Sequence, residues 1–324
     1  MKLKILISLL AVVAVAGCTI PGIPGITPGG SIVGAGNGLE ITSFTAQPET
    51  LYSGSTARII MEVENKGETT VPTSKSIAYL TGSNIEFSSS PSSDMVWHDS
   101  SQYQTIKEMK SQDVVRGISG STDRVSWTLN SPNIPRGQTR TDTFIGRLYC
   151  DYKTTTQGSV WVYSEAESEA SRTAGRSLEK SSFTTTKGPV GLAVSVQPDP
   201  VILYSGDKTF SINIKITNLA TGTIYKAGKI TYDTTTSGKA LISDDLNKVY
   251  LNITMQSDKL EITTDECNGY EEQELVAGRP TTIICDFEIT EDLSTLTFKS
   301  YPITVSIDYG YFTERTATVT VQGK

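Results

Sequence analysis

The sequence has very little of the chemistry on which most enzymes rely. It holds a single histidine, His98, together with four cysteines in 324 residues. One histidine cannot build a zinc site of several imidazoles, and it makes a protease-like triad implausible. His98 is followed by Asp99, but adjacent residues on a strand point to opposite faces, so the two are poorly arranged as a catalytic pair. We therefore interpret His98 as an exposed loop residue.

Charge is also scarce, and its sign excludes one class of partner. Charged residues make up 19% of the chain, and the formal net charge is −7. Residues 189–324 hold 18 acidic and 11 basic side chains, whereas residues 1–188 hold 17 of each. A chain of this charge does not attract phosphate backbones, so nucleic acid is excluded as a partner.

No motif for nucleotide or glycoside chemistry is present. The glycines of residues 117–121 lack the lysine and the strand-loop-helix setting of a phosphate-binding loop, so this segment is interpreted as a surface turn. Glycosidic hydrolysis needs two carboxylates held around a cleft. The acids of the first half lie among Ser, Gln and Lys, in segments typical of solvated loops. We expect them to be ordinary surface carboxylates, and the protein not to be an enzyme; they are Glu86, Asp94, Asp99, Glu108, Asp113 and Asp123.

The N-terminus carries a predicted lipoprotein export signal. Lys2 and Lys4 precede an apolar run from Ile5 to Ala16 that is too short to span a bilayer comfortably, and a glycine and Cys18 follow. This pattern indicates a removable signal peptide, residues 1–17. In secreted proteins with similar signals the cysteine is lipidated and becomes the mature N-terminus. We predict that Cys18 anchors the protein to the cell membrane on its extracytoplasmic side; the alternative is an ordinary signal peptide with a chance cysteine.

Residues 18–38 form a predicted flexible tether. They are rich in proline and glycine, carry no charge and show no apolar periodicity. A segment of this kind cannot build a core, and it would hold the folded part about 25 Å from the membrane.

The rest of the chain contains an internal repeat. Leu51-Tyr52-Ser53-Gly54 recurs at residues 203–206, and in each copy an alternating strand then ends in an asparagine, Asn65 or Asn218. Further along, the segment around Cys150 matches the segment around Cys285, which makes the first copy the longer one. We predict two independently folding domains, an enlarged 39–188 and 189–324, divided at the breaker cluster Thr186-Lys187-Gly188-Pro189.

Each copy is predicted to be all-β. Thr, Ser, Val, Ile and Tyr dominate, and strand-length runs alternate at period two between Gly, Pro, Asn and Asp. Such alternation suits antiparallel sheets that stack as immunoglobulin-like sandwiches. Residues 165–180 are interpreted as a polar hairpin tip, and a short helix is the alternative because Glu, Ala, Arg and Leu favour one there.

These repeated segments resemble a known class of module. A Tyr-Ser-Gly followed by an alternating strand that ends in Glu64-Asn65-Lys66-Gly67 resembles the immunoglobulin-like modules of prokaryotic surface proteins, including the cell-adhesion-related domain of bacteria and archaea. The paired arrangement behind a lipoprotein signal looks most like archaeal surface lipoproteins. The resemblance implies spacer, adhesive or scaffolding roles and carries over no active-site residues.

The cysteines fit an exported chain. With Cys18 assigned to lipid, an odd number remains. We pair Cys267 with Cys285, because Cys285 sits on a predicted strand that can return beside the segment that holds Cys267. Cys150 has no matching partner in its own copy, so we interpret it as a buried free thiol.

Three further sequence features concern glycosylation, ligand contact and cation binding. Asn252-Ile253-Thr254 is a glycosylation acceptor sequence in an exported chain. Trp127 and Trp161 alternate with apolar neighbours, which leaves Trp97 as the candidate ligand contact. Acidic residues concentrate around Cys267 and form either solvated loops or a calcium site of no recognised spacing; they are Asp258, Glu261, Asp265, Glu266, Glu271, Glu272 and Glu274.

Together these observations predict a non-enzymatic, lipid-anchored cell-surface protein that acts as a structural, adhesive or scaffolding module, without a cofactor. Its predicted partners are the membrane, through Cys18, and an unidentified surface protein or polysaccharide. The alternative is a ligand-capturing or carbohydrate-active lipoprotein whose site lies in the enlarged first domain, at Trp97.

Overall fold

A computed structural model describes residues 38–82, 84–88, 93–204, 207–230, 243–276, 279–291 and 297–324. The described chain is all-β, as predicted, with mostly antiparallel sheets and one short α-helix. The predicted signal peptide, Cys18 and the tether up to residue 37 lie outside the described residues.

Two small sheets each contain the first strands of one sequence copy. The five-stranded sheet has the order β1 (Leu39–Gln47), β3 (Thr56–Asn65), β8 (Thr122–Asn130), β6 (Trp97–Asp99) and β5 (Ile85–Phe87). The four-stranded sheet has the order β11 (Val190–Gln197), β13 (Thr209–Asn218), β18 (Thr281–Ile289) and β16 (Leu260–Ile262). The alternating strands that end in asparagine, β3 and β13, hold equivalent places in the two sheets, which confirms the first part of the repeat.

A ten-stranded sheet contains strands from both copies. Its main path is β17 (Tyr270–Glu274), β15 (Lys248–Met255), β19 (Phe298–Gln322), β9 (Thr139–Ser164), β4 (Ser76–Gly82) and β7 (Tyr103–Thr105). Four short strands add to its flanks, namely β2 (Thr50–Tyr52), β10 (Ser182–Thr185), β12 (Val201–Leu203) and β14 (Thr223–Tyr225).

The centre of this sheet is one very long antiparallel pair. β9 and β19 have 26 and 25 residues, and they pair continuously from Tyr163 with Phe298 to Thr139 with Gln322. At a rise of about 3.4 Å per residue this pair is about 80 Å long.

Both small sheets pack on the same face of the large sheet, which we call the inner face. Phe144, Leu148 and Cys150 of β9 are buried there beneath the five-stranded sheet. Farther along the same strand the Thr154 hydroxyl donates to the Val190 carbonyl of the four-stranded sheet at 3.0 Å. Because side chains alternate along a strand, the residues between these positions point to the opposite, outer face.

The long strands are shared between the two halves. Residues at the start of β9 complete the first sandwich, whereas Val160 and Val162, near its end, are fully buried in the second. β19 runs the other way and contributes to both sandwiches in turn. The boundary at residues 186–189 therefore divides two copies in sequence, while a single sheet continues across it in space. The expectation of two independent domains does not fit this arrangement.

Near the centre of the large sheet, similar hydrogen bonds identify equivalent positions in the two sequence copies. In the first copy Asn65 donates to the Thr69 carbonyl, and the Thr69 N–H donates to the hydroxyl of Tyr152. In the second copy Asn218 donates to the Gly222 carbonyl, and the Gly222 N–H donates to the hydroxyl of Tyr311. Tyr152 on β9 is thus the counterpart of Tyr311 on β19.

The sequence match between Cys150 and Cys285 is wrong. Cys150 lies on β9 of the large sheet, whereas Cys285 lies on β18 of a small sheet. On β18 Cys285 pairs with Ile212, and the counterpart of Ile212 on β3, Ile59, pairs with Trp127. Both strands show the same local alternation of apolar and polar residues, so the sequence pattern matched two strands that differ in the fold.

Residues 165–180 begin with a helix, α1 (Glu165–Thr173), and the hairpin-tip interpretation is wrong. Ser164 caps this helix by accepting a hydrogen bond from the Glu167 N–H at 3.2 Å. Glu165 and Glu167 in the first turn and Arg172 in the last complement the helix dipole.

The predicted disulfide between Cys267 and Cys285 is present, and it closes a loop with a sequence separation of 18. We expect the Cys267→Ser/Cys285→Ser double variant to lose about 3 kcal/mol of unfolding free energy, because the bridge restricts the unfolded chain. Urea titrations of the protein and of the double variant, each with and without reductant, measure this loss. An oxidised protein that reductant leaves equally stable, or a double variant that reductant destabilises, would contradict the assignment.

Candidate functional site

Trp97 is not a ligand contact. Its side chain is fully buried, and its indole N–H donates to the Asp142 carboxylate at 2.8 Å. Its ring meets the ring of Phe144 edge-on, with centroids 5.2 Å apart. The prediction failed because β6 is only three residues long, too short for alternation to show which face is buried.

Of the predictions for two neighbouring residues, Trp127 and His98, the first is confirmed and the second is wrong. Trp127 is a core residue, as predicted, with 1% of its side chain exposed. His98 is half-buried on strand β6 beside Asn130, and so it is not an exposed loop residue.

Asp123 differs from the expected surface carboxylate. It is buried, and burial alone would raise its pKa, but the N–H groups of Lys107 and Arg124 and the Lys107 ammonium hold the pKa below its ordinary value. A carboxylate held ionised in this way cannot serve as a general acid. Asp99 also accepts backbone hydrogen bonds, from Ser101 and Thr128 among others.

Cys150 is a free thiol with 1% exposure, as predicted. Burial raises its pKa well above the ordinary value, with a smaller contribution from the neighbouring charge of Asp151. The thiol therefore stays protonated and behaves as a small apolar side chain.

The acidic residues around Cys267 do not form a cation site among the described residues. No group of three or more His, Cys, Asp or Glu side chains is placed to hold a metal ion in the described ranges. Glu272 instead bridges Lys226 and Lys248, and these hydrogen bonds lower its pKa to about 2.

The centre of the outer face is covered by a small second core. Tyr225 lies flat over Gly310, where a Cβ would come within 2.0 Å of its ring. Ile77 and Ile230 are buried beside it, and Tyr149 packs edge-on against Tyr225. A glycine at position 310 is required for this close approach.

Beyond this covered centre, where β9 and β19 continue into the second sandwich, the outer face carries uncharged and mostly polar side chains. Pro302, opposite Ser159, is apolar, and the Ser306 hydroxyl is buried and donates to the Asn252 carbonyl. We call the accessible polar set the hydroxyl–amide patch. Its residues lie in register on β10, β9, β19 and β15, and all are half-buried or exposed. They are Thr155, Gln157, Ser159, Ser182, Thr184, Asn252, Thr254 and Thr304.

An aromatic cluster borders one end of the patch. Trp161 and Tyr163 follow Ser159 on the outer face of β9, and Phe298 stands opposite Tyr163 on β19. The three ring centroids lie 6.2–6.5 Å from one another, with the rings tilted by at most 37°. Phe298 is 56% exposed and Trp161 is half-buried, so the cluster is accessible through these two rings, whereas Tyr163 is buried and exchanges hydrogen bonds with the Glu179 backbone.

A second aromatic pair borders the other end of the patch. Tyr250 and Tyr270 stack with their centroids 4.6 Å apart, and the Lys226 ammonium lies over the Tyr250 ring. On the central strands β9 and β19 the patch ends at the same level, at the ion pair of Lys153 with Asp308 on the outer face. Trp161 pairs with Ser300 of β19, and Tyr250 pairs with Asp308 of the same strand. The two aromatic borders therefore lie eight residues apart along β19, a distance of about 27 Å.

Asn252, the glycosylation candidate, is a member of the patch. It is half-buried on β15, between β17 and β19, and its side chain points outward. Glycosylation of Asn252 remains a prediction.

The sequence analysis missed the patch, although its signal was present. Thr155, Gln157, Ser159, Trp161 and Tyr163 occupy alternate positions of one strand, so they share a face. The opposite side chains of this stretch are buried, whereas on this face only Tyr163 is buried and the other four side chains are half-buried or exposed. Only the pairing of β9 with β19 and β15 shows that polar alternate positions from several strands lie side by side.

The fold and this face define an all-β protein of stacked sandwiches with an open, uncharged sheet surface. No protein-family model and no curated protein matches the sequence. Among solved structures, the D0–D1 domain of intimin aligns at 10% identity over 87% of this chain and 98% of that chain, with a TM-score of 0.17.

Two further solved structures align at 9% identity over 87% of this chain. The Enterococcus faecalis MSCRAMM ACE is covered over 95% of its chain with a TM-score of 0.15, and the collagen adhesin CNA from S. aureus over 92% with a TM-score of 0.10. Scores this low do not carry an argument about function. In the described part of the chain, no helix has the length and apolarity needed to span a membrane.

Proposed function

We propose that this chain is a lipid-anchored cell-surface protein that acts outside the cytoplasm as a non-enzymatic adhesive or scaffolding module. The observation that carries the proposal is the shared ten-stranded sheet. A continuous pair of about 80 Å makes the two copies one elongated body, and the end of its outer face in the second half bears solvent-accessible polar and aromatic side chains.

The position of Gly38, the first described residue, supports this role. The described chain begins at Gly38, which lies against Pro189 and Tyr152 on the inner side of the large sheet, between the two copies. A tether from Cys18 would reach the body at Gly38, on the side of the large sheet opposite to the outer face. This supports an arrangement in which the outer face meets a partner.

The alternative of a carbohydrate-active site at Trp97 loses its basis, because Trp97 is buried and bonded to Asp142. An accessible aromatic cluster exists instead at Trp161, on the outer face of the second sandwich. This cluster favours ligand capture by the open outer face rather than catalysis in the first copy.

The anchor is tested by Cys18→Ser. We expect the variant to move from the membrane fraction to the soluble extracytoplasmic fraction with an unchanged unfolding curve, because Cys18 precedes the first described residue by a long spacer. Fractionation of the native host and a matched Cys150→Ser variant, which keeps the lipid site, provide the measurement and its control. Retention of Cys18→Ser in the membrane would contradict lipid anchoring.

A further inference from the structure

We propose that the hydroxyl–amide patch, together with the bordering cluster of Trp161, Tyr163 and Phe298, binds an uncharged polysaccharide. This inference rests on the adhesive role proposed above and names the chemical class of the partner. It commits to a neutral sugar polymer rather than to a protein or an anionic polymer.

The first argument concerns unused hydrogen-bonding groups. Within the described residues none of the eight patch side chains makes a hydrogen bond, although each presents a hydroxyl or an amide group. On the inner face of the same strand the hydroxyls are paired: Thr154 bonds to Val190 and Tyr309, and Thr156 bonds to Thr185. The patch therefore presents donors and acceptors side by side, which is the complement that the hydroxyls of a sugar require.

The second argument is the aromatic border. Sugar rings have flat faces of C–H groups that pack on aromatic rings, and aromatic side chains supply large contact area at low entropic cost. Trp161 continues the row of Gln157 and Ser159 along β9, so one ligand can contact the ring and the polar groups together. Its indole N–H makes no hydrogen bond within the described chain, so that group is free to bond to a ligand.

The third argument is charge. The eight patch residues and the three aromatic residues are all uncharged, and the nearest ionic groups on the central strands pair with each other, Lys153 with Asp308. Residues 189–324 carry the excess of acidic over basic side chains. An anionic polymer would be repelled by this charge, whereas a neutral one would not.

The fourth argument is shape. The patch lies on the face of a sheet and extends along strands for about 27 Å between its aromatic borders. A single sugar would contact only a small part of such an open surface, whereas an extended chain contacts many groups at once. The geometry thus points to a polymer.

Binding is tested with the full chain in its soluble Cys18→Ser form, produced in a host without N-glycosylation so that Asn252 stays unmodified. Native gels containing amylose, laminarin, mannan or hydroxyethyl cellulose report retardation by neutral polymers, and polygalacturonate serves as the anionic probe. We expect retardation by at least one neutral polymer and none by polygalacturonate. Phe298→Ala and Trp161→Ala should weaken that binding about tenfold or more.

Tyr52→Ala is the matched control, because Tyr52 is 55% exposed, as Phe298 is 56% exposed, but lies on β2 at the other end of the large sheet. Trp161→Phe keeps an aromatic ring and should restore most of the binding lost in Trp161→Ala, which separates ligand contact from misfolding. Trp97 and Trp127 are buried, so a ligand-dependent change in tryptophan fluorescence should disappear in Trp161→Phe.

The outcomes separate the two proposals. Absence of binding to every neutral polymer, binding that Trp161→Ala and Phe298→Ala leave unchanged, or retardation by polygalacturonate alone would overturn the polysaccharide assignment. If cells displaying the anchored protein still adhere to a surface or to other cells under those outcomes, the adhesive role stands with a different partner. If neither binding nor adhesion is observed, both proposals fail.

Discussion

Fragments 38–188 and 189–324, expressed separately, should each fail to unfold as a cooperative unit, whereas the intact 38–324 chain should unfold in one transition. This is the largest effect that the structure predicts, because the fragments divide the central pair of the large sheet. Each would present one of the two long strands, β9 or β19, without the partner with which it pairs along its full length.

Each fragment would lack buried residues that the other fragment supplies in the intact chain. Fragment 189–324 would lack Val160 and Val162, which are fully buried beneath the four-stranded sheet, and the β9 residues that pair with Phe298 to Gly310. Fragment 38–188 would lack Val319 and Val321, fully buried in the first sandwich. Unpaired long strand edges of this kind favour aggregation over folding.

The measurement is urea unfolding followed by circular dichroism, with size-exclusion chromatography to detect aggregates. Co-expression of the two fragments is the informative control, because the missing strand pair can then form between chains and should restore a cooperative transition. Two fragments that each unfold cooperatively as monomers would show that the halves are independent, and the shared sheet would then contribute little to stability.

Trp97→Ala should cost about 3–5 kcal/mol of unfolding free energy, the range for loss of a fully buried large aromatic side chain. The substitution removes the edge-on contact with Phe144 and leaves the buried Asp142 without the indole N–H that now donates to it at 2.8 Å. Arg140 still pairs with Asp142 at 2.9 Å, so the carboxylate keeps one partner.

The matched variant is Trp161→Ala, which removes the same side chain from a half-buried position on the outer face. Its stability loss should be clearly smaller, because less apolar surface is re-exposed to water. Urea titrations of both variants give the comparison. Equal losses in the two variants, or a Trp97→Ala protein as stable as the parent, would contradict the different roles assigned to these two tryptophans.

Several features could be predicted from the sequence because they depend on local patterns. Alternation at period two predicted the strands, and the Asn65 and Asn218 turns marked equivalent strand ends, each now held by the asparagine amide. Cys267 and Cys285 were paired correctly because the strand pattern placed them within reach of each other. The core position of Trp127 followed from the same alternation, and the free thiol of Cys150 followed from its lack of a partner cysteine in its own copy.

The tertiary structure alone decided which strands pair and which face is left open. The alternation of apolar and polar residues indicates that a strand has two different faces, but it does not predict which distant strand lies beside it. Strand pairing depends on register and on burial, and only the assembled sheets define both. For that reason Cys150 was matched to the wrong strand, and the β9–β19 pair across the repeat boundary was not foreseen. For the same reason Trp97 looked free and proved buried, whereas Trp161 was set aside and lies on the open outer face.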